Sequence, residues 1–214
     1  MKKIIWLVLL LPSLALARFI EGTVTMNDLS VRKGFVEVPS YLDRKINFRS
    51  EPNGKTEKLS IDDVAGFEII HRDKPVKFVT EYVAFFRLFN SSEIKVEKRK
   101  FWLEVIREGA GSSMYSAYSG WSPAAGPNGF ANADVENEKF FIKKAGMAYA
   151  LYFYMTLGRG AGHSFKIKRT KSIEKEVNLH FGTDCPGLFN RITTEDLAAE
   201  GLSVVIKLYD DHCR

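Results

Sequence analysis

Near its C-terminus the chain carries His180, Cys185, His212 and Cys213, four side chains of the kinds that bind metals or attack electrophiles. Cys185 as a nucleophile would gain thiolate character at a helix N-terminus. Asp184 beside it opposes that gain, and no papain-like context surrounds it. As zinc ligands the four have suitable atoms. Yet H-x4-C followed by an adjacent His-Cys pair matches no standard spacing, and adjacent residues rarely both reach one ion. The remaining chemistry is a disulfide. With two cysteines in the chain, Cys185 to Cys213 is the one intramolecular pairing open.

Other candidate motifs are weaker. "GRGAGH" (158–163) lacks the Lys-Ser/Thr of a phosphate-binding loop and has the wrong glycine spacing for a dinucleotide fingerprint. It reads as a hairpin turn. No Ser stands in a G-x-S-x-G elbow, and His71 and His163 are scattered. Asp62-Asp63 and Asp210-Asp211 are adjacent pairs, whose carboxylates diverge on a strand or helix. No catalytic residue, metal site or cofactor is assigned.

Two surfaces suit recognition instead. Residues 109–137 are rich in Gly, Ser, Ala and Asn and hold Tyr115, Tyr118, Trp121 and Phe130, rigid aromatics of the sort that supply contact area in a binding loop. "KVEKRK" (95–100) and "KIKRTK" (166–171) are basic. Lys166, Lys168, Arg169 and Lys171 form a candidate patch for an anionic lipid or glycan surface or an acidic envelope partner. The competing reading for both clusters is a charged face that keeps a sheet edge from aggregating.

The compartment decides among these chemistries. Residues 1–17, MKKIIWLVLLLPSLALA, run from two lysines through a short apolar stretch to Ala15-Leu16-Ala17, the layout of a cleaved export signal. The expected mature chain starts at Arg18 and is delivered to the periplasm or the outer-membrane periphery. Disulfides persist there, which favours the Cys185–Cys213 staple over thiol chemistry. The formal charge is +5, with 31 basic against 26 acidic residues, too mild to argue for nucleic acid. The longest later apolar run (145–158) is too short for a transmembrane helix.

The elements expected to position these residues are mostly strands. "RFIEGTVTM", "VRKGFVEV", "KINFRS", "EKLSI", "AGFEIIH", "VKFVTEYVAFFRLF" and "KFWLEVIRE" are short apolar alternations divided by turn residues. Asn53-Gly54 suggests a tight hairpin. Strands resume at "EKFFIKKAGMAYALYFYMTL" and "HSFKIK". Helical signals are confined to the end. Ser172 could cap one helix that stops at Gly182, and Pro186 could open a second behind Asp184. The longest helix would be capped by Thr193 or Thr194, with Leu197, Gly201, Val204, Val205 and Leu208 on one face. The expected fold is α+β and mainly β. An antiparallel sheet over 18–170, rolled into a sandwich or partly open barrel, carries the long loop 109–137 and is followed by a short helical segment (171–214) packed on it.

Gly22-x-Val24, Gly34-x-Val36, "INF" (46–48), "DDVAGFEI" (62–69), then Phe101, Val105, Gly109 and Tyr115, and finally Asp184-Cys185-Pro186-Gly187-Leu188, resemble a family of exported bacteroidete proteins of unknown function. The resemblance spans most of the mature chain and its motifs are structural punctuation. It implies a β-rich exported protein with a C-terminal DCPxL helical segment, and no activity.

The expected function is therefore binding or an accessory role at the cell envelope, without catalysis. The alternative is a cysteine- or metal-dependent hydrolase using Cys185 with a nearby histidine. An outer-membrane barrel is a third class, which the charged alternation of "KVEKRK" and the helical end oppose.

Overall fold

The computed structural model describes residues 19–71, 73–87, 90–117, 137–157 and 170–213. Among these residues ten strands form one sheet in the order β10-β9-β8-β7-β6-β5-β1-β2-β3-β4, and the helices follow at the C-terminal end. The strands are β1 Phe19–Met26, β2 Val31–Glu37, β3 Lys45–Arg49, β4 Glu57–Ser60, β5 Val64–His71, β6 Lys74–Arg87, β7 Asn90–Glu108, β8 Ser112–Ala117, β9 Asn137–Lys144 and β10 Ala150–Leu157. The mainly β, α+β expectation holds. The sheet closes rather than staying partly open.

Closure follows from strand number. β6 to β10 form a meander, in which successive strands alternate direction. The first and fifth strands therefore run the same way and can meet only in parallel. They do so through two pairs, Ala150 with Val83 and Leu151 with Ala84. β6 belongs to both halves of the sheet. Its Lys74 to Val79 half pairs with β5, and farther along it turns to β10, while β7 follows its other side.

The two halves bury opposite faces. In β7, Phe101, Leu103 and Val105 point into the barrel with Val83, Phe85, Tyr115, Phe141 and Tyr152. Trp102, one residue out of phase, joins Val24, Val36, Phe48, Phe67 and Ile69 in the core of the β1–β5 half. Period-two alternation thus serves two cores from one strand. Gly34 makes room for the second core, because a Cβ there would stand 2.7 Å from Phe48 Cζ. The tight Asn53-Gly54 hairpin does not form. Pro52 and Asn53 occupy the centre of a turn in which Gly54 N donates to Glu51 O at 3.0 Å, inside a longer connection between β3 and β4. Proline suits the second position of such a turn.

A third core lies on the barrel's outer wall. Met114, Phe140, Ile142 and Phe153 alternate with the inward residues of β8 to β10 and are covered by the helices through Ile173, Val177, Phe181, Leu188 and Val205. Helix α1 (Lys171–Phe181) is capped by Thr170, whose side chain accepts from Ile173 N, rather than by Ser172. The second helix, α2, is one turn, Leu188–Arg191. The long third helix is divided in two. Thr193 and Asp196 make a reciprocal capping box for α3 (Thr194–Glu200), then Gly201, at φ 62°, breaks the axis before a 3-10 turn and α4 (Val204–His212). Gly201 therefore ends one helix instead of lining its face. Arg107 on β7 reaches Glu200 at 2.7 Å and Lys207 reaches the same carboxylate at 2.6 Å, joining barrel to helices.

No helix among the described residues is long and apolar enough to cross a membrane.

Candidate functional site

Among the described residues the barrel interior is crossed by an ion pair toward one end and opens at the other. Along β9, Lys139, Phe141 and Lys143 share the inward face, and along β6, Glu81, Val83 and Phe85 do. At the far end Lys143 and Glu81 meet across the interior at 2.6 Å, both side chains largely shielded. Each charge there satisfies the other. At the near end the interior opens as a cavity of about 220 Å³ lined by Tyr41, Val83, Phe85, Phe101, Phe141 and the charged Glu97, Arg99 and Lys139. That is room for about seven waters at the liquid's share of roughly 30 Å³ each.

The charged residues reach the mouth for a simple geometric reason. Glu97 and Arg99 precede Phe101 and Leu103 at two-residue intervals, so all four share the inward face, and the outer pair stands where the strand leaves the core. Arg99 lies 4.9 Å above the Phe101 ring and Lys139 lies 5.3 Å from the Tyr41 ring, with its Nζ donating to Tyr41 Oη at 3.3 Å. Neither cation meets a carboxylate among the described residues. Glu97, by contrast, is paired with Lys95 at 3.3 Å.

Tyr41 comes from the connection between β2 and β3. That connection folds on itself, with Ser40 N donating to the Asp43 carboxylate at 2.8 Å, and the ring stacks on Phe101 at 6.1 Å. One wall of the mouth is thus contributed by the other half of the sheet.

The sequence-predicted residues fall differently. Tyr115 is not in a loop. It is in β8, 7% exposed and inside the barrel, where burial pushes its hydroxyl pKa up. The segment from 109 looked like a loop because Ser112, Ser116 and Ala117 are small. Small residues are what the strand needs where β7, β9 and the helices crowd it. Tyr118, Trp121 and Phe130 lie outside the described residues, as do Lys166, Lys168 and Arg169. Lys171 is exposed at the first position of α1.

The cysteine and histidine set also resolves. Cys185 and Cys213 face each other at disulfide distance, with Cα atoms 5.4 Å apart. A sulfur so paired offers no thiolate. His180 is buried among Phe86, Phe153 and Phe181, and its Nε2 lies 2.9 Å from Tyr152 O, so the neutral ring donates there. Burial drives its pKa down to about 4. No group of three or more metal-binding side chains converges among the described residues.

A second polar cluster lies on the barrel's outer wall. Glu104 faces Ser116 in the β7–β8 register, and Glu104 Oε2, Ser116 Oγ and Ser112 Oγ are shielded without a hydrogen-bond partner among the described residues. Burial, and then repulsion from Glu138, raise the Glu104 pKa to about 8. Neither serine hydroxyl hydrogen-bonds a base among the described residues.

The sequence signal for the mouth was the alternation Glu97, Arg99, Phe101, Leu103, hidden because "KVEKRK" reads as one solvated run. Compared with family models, curated proteins and solved structures, the chain matches none of them.

Proposed function

We propose that the chain is an exported, non-enzymatic binding protein of the periplasm or outer-membrane periphery, and that it binds at the barrel mouth. One observation carries the reading: the mouth is an aromatic cavity whose rim presents two cations without acidic partners among the described residues. Concave, mostly apolar sites with a few polar groups at the rim are typical ligand sites. The paired cysteines and the absence of a membrane-crossing helix among the described residues are consistent with export. The export signal in residues 1–17 and the resemblance to exported bacteroidete proteins support the compartment and add no activity. Partners that suit the rim are an envelope protein with an acidic segment or an anionic lipid or glycan surface.

Leu42, 46% exposed and on the mouth's rim, is the place for a photo-cross-linking side chain. In intact cells the expected result is a cross-link to another envelope component, identified by mass spectrometry. A chain that carries its leader uncut in the cytosol, with both thiols reduced, overturns the reading, and so does an exported chain that never cross-links at native abundance.

A further inference from the structure

Resting on the assignment of the mouth as a binding site, the geometry points to its ligand class: a small organic anion, a carboxylate carried on a flat apolar body. Of the three charged side chains that line the cavity, Glu97 is answered by Lys95, which leaves Arg99 and Lys139 facing it without a carboxylate among the described residues. A negatively charged ligand meets both cations, whereas a neutral one gains nothing from them. The anion's place is set by the two cations. Arg99 offers a planar fork suited to both oxygens of a carboxylate, and Lys139 adds a point charge from β9.

The body of the ligand is set by the walls. Phe101 and Tyr41 are stacked with 23° between their planes, and Phe85 meets Phe141 edge-on at 5.8 Å. These are flat surfaces at fixed angles, which accept a ring more readily than a polyhydroxyl chain. Few hydrogen-bonding groups line the deeper walls, so sugar hydroxyls placed there would lose water without replacement. The cavity volume of about 220 Å³ restricts the ligand to a compact ring system rather than a long acyl chain.

Calorimetric titration of the purified protein with 2-naphthoate tests the assignment. Expected are saturable binding of 2-naphthoate and at least tenfold weaker binding of the neutral 2-naphthalenemethanol. Arg99→Gln and Lys139→Gln should each weaken 2-naphthoate about tenfold, the size of one lost charge-assisted hydrogen bond. Lys171→Gln, far from the rim in sequence and on α1, should change nothing. Absence of 2-naphthoate binding overturns the assignment, as does equal binding of the alcohol or indifference to both substitutions. A Leu42 cross-link to an envelope component obtained alongside any of those outcomes leaves the mouth a binding site and removes only this ligand class.

Discussion

Trp102 Nε1 donates to the Asp43 carbonyl at 3.0 Å, a bond between residues 59 apart in sequence. Asp43 belongs to the connection that delivers Tyr41 to the barrel mouth, while Trp102 is 2% exposed in the core of the other sheet half. The indole therefore anchors a wall of a site it does not touch. Trp102→Phe keeps most of the apolar contact and removes the donor. We expect a loss of about 1–2 kcal/mol in chemical denaturation, the cost of leaving a shielded carbonyl without its partner. Amide exchange at residues 40–43 should quicken. Unchanged exchange there would show that the turn holds itself.

The helical segment depends on its sulfur bridge. A closed loop with a sequence separation of 28 constrains the unfolded chain by about 3–4 kcal/mol in the chain-entropy model. Reduction, or Cys185→Ser with Cys213→Ser, should lower stability by roughly that amount. The helices should lose protection before the barrel strands, because the bridge joins only helical-segment residues. Denaturation with and without reductant, followed by near-UV circular dichroism, measures it.

Asp210 seats α4 on the β7–β8 turn by accepting from Ala110 N at 2.8 Å and from Gly111 N at 3.1 Å. Gly109 lies beside it, and a Cβ there would stand 2.8 Å from both Ile206 Cγ2 and Ser112 O and collide with the Asp210 carboxylate. Gly109→Ala should cost about 1–3 kcal/mol through overpacking. Asp210→Ala should cost a similar amount by orphaning two amides. Their combination should cost less than the sum, because both disturb one contact. Additive losses would separate the two effects.

Glu104 and His180 bias stability in opposite directions with pH. His180, depressed to about 4, is neutral in the fold, so its contribution is present above its unfolded value near 6.5 and is lost as pH falls through the window toward 4. Glu104, raised to about 8, stays protonated in the fold while the unfolded chain releases its proton above about 4.5. Its effect is a loss of stability as pH rises from about 4.5 to 8. Glu104→Gln should remove that loss, so the melting temperature of the variant minus that of the wild type should climb across this window. A difference that is flat with pH would place Glu104 in an ordinary solvated state.

Much of the architecture was legible in the residues. The alternation in β1 to β7 gave the strands, and the pairing of Cys185 with Cys213 followed from the count of two cysteines and the expected compartment. What escaped was non-local. Nothing near Ala150 announces that it pairs with Val83, because a closing contact leaves no local pattern. Tyr115 was misplaced because serine and alanine read as loop composition, although in β8 they are the small residues that a crowded strand requires. Gly201 was placed on a helix face, and the glycine's positive φ ends the helix instead. Arg99 and Lys139 carried no motif. Their role comes from standing at strand positions in phase with aromatic neighbours, which becomes visible once the sheet is closed.

The two-rung seam between Ala150 and Val83 and between Leu151 and Ala84 has a bearing on biogenesis. A polypeptide that emerges from the ribosome with its N-terminus leading presents β1 to β5 early, and these can pair among themselves as they appear. β6 must then wait with one flank bare until β10 has been made as well. Vectorial synthesis leaves that flank open to a chaperone for as long as the remaining length takes to arrive.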